Sequence, residues 1–415
     1  MAINFEQIYI GYDLNDEYSQ ISYWMEGMNE PLSLSTITNQ ERFMIPTVVC
    51  KKKGIRQWFY GEEAVKCHKA NEGTLVDKLV TRSINDEIIE IDGEKYSAFS
   101  LLELFVKKTI NLISSFVSVS HISRLTFACE SLKSENVELL YKLSDSLPVN
   151  SEYIKFRDYK ECFYYYAINQ KKELTNHSVV LFDYRKDMIA PYFLSINNKS
   201  VPKVGHVEAC QSYQMKNVDL LKRDQAFNNI IIREFDGKIV SCVYLTGLEF
   251  NGEWMKSSLN TLCRNRKAFI GQNLFAHGAC YSSVLKDRNL DKEFVYLGEF
   301  KLISNVGLYV NNMGNNEYYP LINAGESYYE SEGLCEVILD DTDYIELVIS
   351  HALNKNKRIV KIELENIPYR PDKTTRLRIK AKAISDSKVD VTITDLGFGE
   401  MFKSTFKEWK YTINL

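Results

Sequence analysis

Strand-like and helix-like segments alternate along this chain up to about residue 285, and there the helical period stops. An alternation of this length restricts the first part to layered α/β architectures, in which helices cover the faces of largely parallel sheets. The first apolar run, Gln7–Leu14 (QIYIGYDL), is β-branched and aromatic and reaches Asp13 at its end. Tyr18–Trp24 follows after only Asn15-Asp16-Glu17, a spacing that predicts a hairpin. Arg42–Lys51 and Gln57–Tyr60 read as strands and Gly61–Lys69 as a helix. Ser97–Phe116 places Leu101, Leu104, Phe105, Ile110 and Ile113 on one helical face. Ser123–Ala128, Ser134–Leu147 and Lys155–Phe156 then read as strand, helix and extended segment, followed by an aromatic helix at Asp158–Gln170. Ser178–Phe182 is a buried strand ending at Asp183, with Met188–Ile196 as its hairpin partner. Val218–Phe235 is mainly helical, Lys238–Leu245 a buried strand ending in Thr246-Gly247, and Trp254–Cys263 and Asn273–Val284 are helices.

The polar run Leu285–Glu293 is the expected linker. Beyond it short alternating runs occur at Asn305–Val310, Gly333–Leu339, Tyr344–Ile349, Ile359–Leu364, Arg376–Ala383 and Val389–Thr394, with Asn, Asp and Pro between them. That spacing predicts an antiparallel β-sandwich. Asn311–Asn316 reads as a polar loop tip, and no internal sequence repeat is visible.

Composition removes several function classes. Hydrophobic residues make up 45% and charged residues 26%, with a formal net charge of −4, so a disordered chain and a general nucleic-acid binder are both poor fits. No run of about 18 apolar residues predicts a membrane span, and MAINFEQIYIGYDL lacks the pattern of a signal peptide. The nine cysteines are scattered without a C-x-x-C pair, which fits reduced thiols in a cytoplasm better than a disulfide framework or a zinc site.

Three strands therefore end in polar or glycine-bearing turns, at Asp13, Asp183 and Thr246-Gly247, and a helix containing Gly278-Ala279 follows them. In these segments the chain resembles the DnaK-type heat-shock protein 70 chaperones and, more widely, the actin-like ATPases. IGYDLNDEYS (Ile10–Ser19) lies over that family's first phosphate loop, roughly I-G-I-D-L-G-T-T-Y-S. FMIPTVV with YGEEAVK, and LVDKLVTR carrying Lys78, match later family segments. LTFACESLKSENVELL resembles the first connection between lobes, and Glu161 with CFYYYA (Cys162–Ala167) the family's E-P-T-A-A-A helix. VVLFDYRKD lies over the second phosphate loop and VYLTGLEF over the adenosine motif. NVGLYVNNMGNNEYYPLINAG and IELENIPYRPDKTTRLRIKAKAISDSKVDVTITD resemble strands of the chaperone's peptide-binding module. The resemblance implies an actin-like, two-lobed, ribonuclease H-like nucleotide cleft over residues 1–290, with lobes at about 1–175 and 176–290. It implies an antiparallel β-sandwich over 295–415 that would take a peptide or protein partner.

The same resemblance implies ATP or ADP with Mg as cofactor. Asp13 and Asp183 would hold the metal through its waters, Lys78 would reach a phosphate, and Glu161 would orient the attacking water. Asn15, Asp16, Glu17, Arg185, Lys186, Asp187, Thr246, Gly247 and Leu248 would line the nucleotide. Each residue also has a plainer reading: Asp13, Asp183 and Asp187 as turn residues, Arg185 and Lys186 as surface charges, Phe163–Tyr166 as inter-lobe core, Gly247 and Gly278 as close-packing glycines. Asp340, Asp341 and Asp343 suggest a solvated turn more than a calcium loop, and Tyr318, Tyr319, Tyr328 and Tyr329 either line a groove or pack loops.

Departures from the family pattern weigh against turnover. Asn15, Asp16 and Glu17 stand where the family has glycine and two threonines. Two carboxylates there repel a polyphosphate by about 4 kcal/mol per charge pair at ~4 Å and an effective dielectric of about 20, unless a cation offsets them or they turn away. The second loop, Asp183-Tyr184-Arg185-Lys186-Asp187, lacks the family's three glycines, and Leu248 stands for the second adenosine glycine. Only about sixty residues separate Asp183 from Gly247, so the subdomain that walls the adenine site is reduced. The sequence thus favours a pseudo-ATPase scaffold or interaction protein without a cofactor; the alternatives are an active ATP-dependent peptide-binding chaperone or an actin-like cytoskeletal protein.

Overall fold

The computed structural model of the protein describes residues 7–35, 42–115, 118, 121–216, 218–219, 222–288, 293–353 and 356–415. Residues 289–292 of the expected linker, and Phe116 of the expected helix end, lie outside the described residues. The chain divides into two compact units, residues 1–196 with 207–291, and residues 197–206 with 292–415. The second unit thus takes in a segment that the sequence places in the first domain: Lys203–Gly205 pairs in parallel with Phe294–Tyr296.

The first unit contains two sheets of the same topology. In one, Ile8–Asp13 pairs antiparallel with Tyr18–Met25 and parallel with Ile122–Cys129, which pairs in parallel with Ile154–Asp158. In the other, Ser178–Arg185 pairs antiparallel with Met188–Asn197 and parallel with Val240–Thr246, which pairs in parallel with Lys267–Ile270. The sequence shows no repeat, yet the backbone repeats: a hairpin, then two parallel strands added beyond its first strand. Register makes the correspondence concrete. Asp13 pairs with Ala128 and Asp183 with Thr246, so the two aspartates hold equivalent positions near the C-terminal ends of equivalent strands.

Two helices pack against each other and carry each half onto the other. Tyr159–Ile168 follows the last strand of the first sheet, and its Phe163 and Tyr166 rings meet Tyr244 of the second sheet at 6.4 and 5.3 Å. Phe163, Tyr164 and Tyr165 are buried, which accords with their reading as inter-lobe core. Leu274–Asp287 follows the last strand of the second sheet and returns to the first: the Cys280 thiol donates to the Tyr9 carbonyl, and the Thr126 and Ser283 hydroxyls are 2.5 Å apart. The helices approach so closely at Gly278 that a Cβ there would lie 2.0 Å from the Cys162 carbonyl oxygen. This unit also contains a smaller three-stranded sheet, Trp58–Tyr60, Val49–Lys52 and Gly73–Val76, and the hairpin of Ile88–Ile91 with Glu94–Ser97.

Most expected elements occur within a few residues of their predicted ends. The helix expected from Val218 starts at Arg223, and that expected to end at Val284 continues to Asp287. Several short pieces were not anticipated, among them Gly73–Val76, Leu79–Ile84, Ile88–Ile91 and Lys267–Ile270.

The second unit contains two four-stranded antiparallel sheets, Asn315–Ile322, Ser304–Asn312, Tyr344–His351, Lys357–Glu363, and Glu332–Ile338, Arg376–Ala383, Lys388–Gly397, Glu408–Asn414, each in spatial order. Their inward residues share one core, including Val306, Leu347, Ile379, Val391 and Trp409, as alternating strands of a sandwich require. The expected loop tip at Asn311–Asn316 is instead the turn of a hairpin, with Asn312 paired to Asn315 across Met313 and Gly314.

A buried polar clamp fixes one end of this sandwich. Asp395 accepts from Arg370 Nη1 and Nη2 at 2.6 and 2.9 Å, from the Thr405 hydroxyl and N–H at 2.7 and 2.9 Å, and from Gly397 N–H at 3.0 Å. Burial alone would raise its carboxyl, but Arg370 and the other donors hold it well below the usual carboxylate range.

Two outcomes follow for folding. Gly278→Ala forces the helix crossing apart and should cost about 3 kcal/mol or more in urea unfolding of the full chain. Asp395→Ala leaves the buried Arg370 guanidinium without its carboxylate and with the Lys403 carbonyl as a remaining acceptor, a loss of about 3 kcal/mol at pH 7. Because the native carboxyl is depressed, this contribution is complete above the ordinary aspartate value of 3.8 and declines as pH falls below it. The gap between wild type and Asp395→Ala should therefore narrow at pH 3.

Candidate functional site

The two equivalent strand ends face one another across a cleft in the first unit. Its lining combines Asp13, Asn15, Glu17 and Gln20 of the first hairpin with Arg185 of the second, Thr246, Gly247, Leu248 and Glu249 of the third strand's turn, and Gln272 and Phe275 beside the crossing helix. Each position follows from local chemistry. Asn15 accepts from the Glu17 and Tyr18 N–H groups at 3.0 and 3.1 Å, an Asx turn that closes the first hairpin. Lys186 and Asp187 both have positive φ, 51° and 57°, between the paired residues Arg185 and Met188. That is the two-residue hairpin turn normally given to glycine or asparagine, so the expected phosphate cradle is a tight turn. Gly247 at φ 107° lies against the Tyr184 backbone, where a Cβ would come within 2.0 Å of the carbonyl oxygen. Gln272 reads this turn with its amide, accepting from Gly247 N–H at 3.2 Å and donating to its carbonyl at 3.1 Å.

At the floor of the cleft, Arg185 Nε donates to both Asp183 carboxylate oxygens at 2.8 and 3.0 Å, and a second guanidinium nitrogen donates to Asp183 Oδ2. The guanidinium carbon lies 4.8 Å from the Tyr159 ring centre and 5.7 Å from that of Phe275. Those rings stack on each other at 3.9 Å. Tyr159 in turn donates its hydroxyl to Asp13 Oδ1 at 2.6 Å. A continuous path thus runs Asp183–Arg185–Tyr159–Asp13, from one half of the unit to the other.

Burial dominates the electrostatics. It pushes the Asp13 carboxyl up to about 6, with the Tyr159 hydrogen bond and the Arg185 charge opposing the rise. It raises Asp183 as well, again against Arg185. Arg185 stays charged: burial works against it, but the Asp183 carboxylate raises it further above its ordinary value. Burial and the nearby Glu17 carboxylate push Glu249 up.

The structure separates the sequence-predicted residues. Asp13, Asn15, Glu17, Arg185, Thr246, Gly247 and Leu248 come together in the cleft, with Asp183 bound to Arg185 beneath it. Asp16 turns away, where it accepts from the Val80 and Thr81 N–H groups at 2.9 and 3.1 Å and from the Thr81 hydroxyl. Lys78 is exposed, in a left-handed conformation just before the short helix Leu79–Ile84. Lys186 and Asp187 are exposed at the turn. Glu161 lies in the buried first turn of its helix, 3.2 Å from Arg157 Nε and outside the cleft lining. Sequence reasoning missed Tyr159, Gln20, Glu249, Gln272 and Phe275. Tyr159 carried one usable signal, an aromatic at the first position of a helix capped by Asp158.

The cleft encloses about 40 Å³, whereas small-molecule sites run to roughly 300–1,000 Å³. Gln20 lines it with both amide atoms buried and unpaired. A space of that size suits two or three waters. A Mg-polyphosphate does not fit these residues: Glu17 and Glu249 face the space, and Arg185 is committed to Asp183. Among the described residues, no group of three or more His, Cys, Asp or Glu is placed to hold a metal ion.

A family model described as "Family of unknown function (DUF5716) C-terminal" matches residues 30–299, more than half of the chain. The chain belongs to this family. A second model, "Domain of unknown function (DUF8552)", matches residues 301–415, the sandwich. No curated protein matches the chain. The family match begins beyond the hairpin that carries Asp13, so one wall of the cleft comes from residues outside it.

The pH response of the cleft has a definite sign. Asp13 holds its proton more tightly folded than unfolded, so its contribution is complete below pH 3.8 and is lost as pH rises through about 6. A shift of this size is on the order of 3 kcal/mol. Asp13→Asn keeps an acceptor for Tyr159 without the charge. It should raise stability at pH 7 to 8 and flatten the stability profile between pH 4 and 7, read by urea unfolding across pH.

Proposed function

We propose that this DUF5716 family member is a divergent, chaperone-like scaffold or interaction protein, built on an actin-like, heat-shock protein 70-type cleft that does not turn over nucleotide. The β-sandwich is the part that takes a peptide or protein partner. The supporting observation is the size and chemistry of the cleft: about 40 Å³, faced by Glu17 and Glu249, with its guanidinium committed to Asp183. The duplicated sheet topology, with an aspartate at each equivalent strand end, supports the two-lobed reading. Among the described residues no helix is long and apolar enough to cross a membrane. The nine free cysteines suit a reducing cytoplasm.

Calorimetric titration of the full chain with Mg·ATP and Mg·ADP tests the reading. We expect no binding heat at millimolar nucleotide and no phosphate release. Saturable binding accompanied by hydrolysis would overturn it in favour of an active ATPase. The partner role is tested separately by screening the full chain against an immobilised library of extended apolar peptides, where the absence of any saturable binder would remove it.

A further inference from the structure

Buried carboxylates at the ends of two facing strands create a problem that any fold of this topology must solve. Asp13 is 6% exposed and Asp183 4%. An uncompensated buried charge is strongly unfavourable, and the usual remedies are protonation, a bound cation or an ion pair. Here the remedy comes from two residues along the same strand. Arg185 reaches back to grip both oxygens of Asp183 and lies against the ring of Tyr159, the residue that donates to Asp13.

We propose that Arg185 is a resident counter-ion, doing for the paired strand ends what a bound divalent cation would otherwise do, and that it thereby latches the two halves of the cleft together with no ligand between them. The inference extends the non-hydrolysing reading of the same site. Three features carry it. The guanidinium fork matches the carboxylate geometry, which an ammonium cannot do. Its carbon lies 4.8 and 5.7 Å from the centres of the stacked Tyr159 and Phe275 rings, so the charge is held beside aromatic packing as well as by Asp183. And its contacts span the cleft, since Asp183 belongs to the second sheet while Tyr159 and Asp13 belong to the first half.

Removing the guanidinium should therefore uncover a cation requirement that the wild type lacks. The test is thermal unfolding of the full chain with and without millimolar Mn²⁺, nucleotide-free, for wild type, Arg185→Gln and Arg185→Gln/Asp183→Asn. We expect Arg185→Gln to unfold several degrees below wild type and to recover part of that loss with Mn²⁺. Wild type and the double variant should show no Mn²⁺ shift. If Arg185→Gln does not fold, Arg185→Lys serves, because it keeps a charge but frees carboxylate oxygens; it should show a smaller Mn²⁺ shift. An Arg185 variant that folds without any Mn²⁺ response, or a wild type that shifts as much as the variant, would overturn the proposal. The outcomes separate from those for function. Nucleotide turnover by the wild type with the Arg185→Gln response intact would remove the non-hydrolysing reading alone. Silent calorimetry with no Mn²⁺ response would remove the latch alone.

Discussion

The approach of two helix backbones at Gly278 and Cys162 sets the geometry of everything around the cleft. Each helix leaves one sheet and packs toward the other, so their separation fixes how far apart the sheets stand and how their strand ends face. A hydrogen in place of a side chain at Gly278 permits the contact, since even a methyl would fall 2.0 Å from the Cys162 oxygen. The Phe163, Tyr166 and Tyr244 rings then fill the space beside the crossing. Dispersion and burial from such rings are non-directional, but backbone contact is not, and it leaves little freedom to vary the spacing between Asp13 and Asp183.

Close spacing of the sheets removes the strand ends from water. Desolvation is then the first cause of the raised carboxyls at Asp13, Asp183 and Glu249. A cleft designed around a polyanion would answer this burial with mobile cations and backbone N–H groups. This one answers with a side chain. The second hairpin turn shows how the sequence was free to do so. Once Lys186 and Asp187 close the strands in two residues, no open loop remains to cradle a phosphate, and Arg185 sits in regular strand register with Met188. A strand residue two positions from Asp183 shares its face of the sheet, so its guanidinium meets the carboxylate without a change of backbone path.

Much of the architecture was legible because hydrophobic periodicity reports it directly. The hairpin at Asp13, the strand at Ser178–Arg185 and the strand Arg376–Ala383 all carry their pattern in a few residues. Pieces decided by pairing partners were not legible: Lys267–Ile270 is only four residues long, and Lys203–Ala209 reads as an ordinary loop until Phe294–Tyr296 is beside it. The site divides the same way. Positions along the chain placed Asp13, Glu17, Arg185, Thr246 and Gly247 in one cleft. Side-chain direction decided the others, and position alone does not encode it. Asp16 has two backbone donors and a hydroxyl within reach on the far side, so it caps a helix turn and leaves the cleft to Glu17. Tyr159 and Phe275 lie 116 residues apart in sequence, and only the helix crossing stacks them.

Two features of the cleft become coherent when read together. The two-residue turn at Lys186 and Asp187 leaves no open loop, and Arg185 beside it supplies a fixed positive charge. Placing Glu17 and Glu249 over the cleft would be costly if a polyphosphate had to enter, yet it costs little if the space holds only water. The space itself, about 40 Å³, is of a size for a few waters. Arg185 supplies, from within the chain, the positive charge that connects Asp183 of one half to the Tyr159–Asp13 pair of the other.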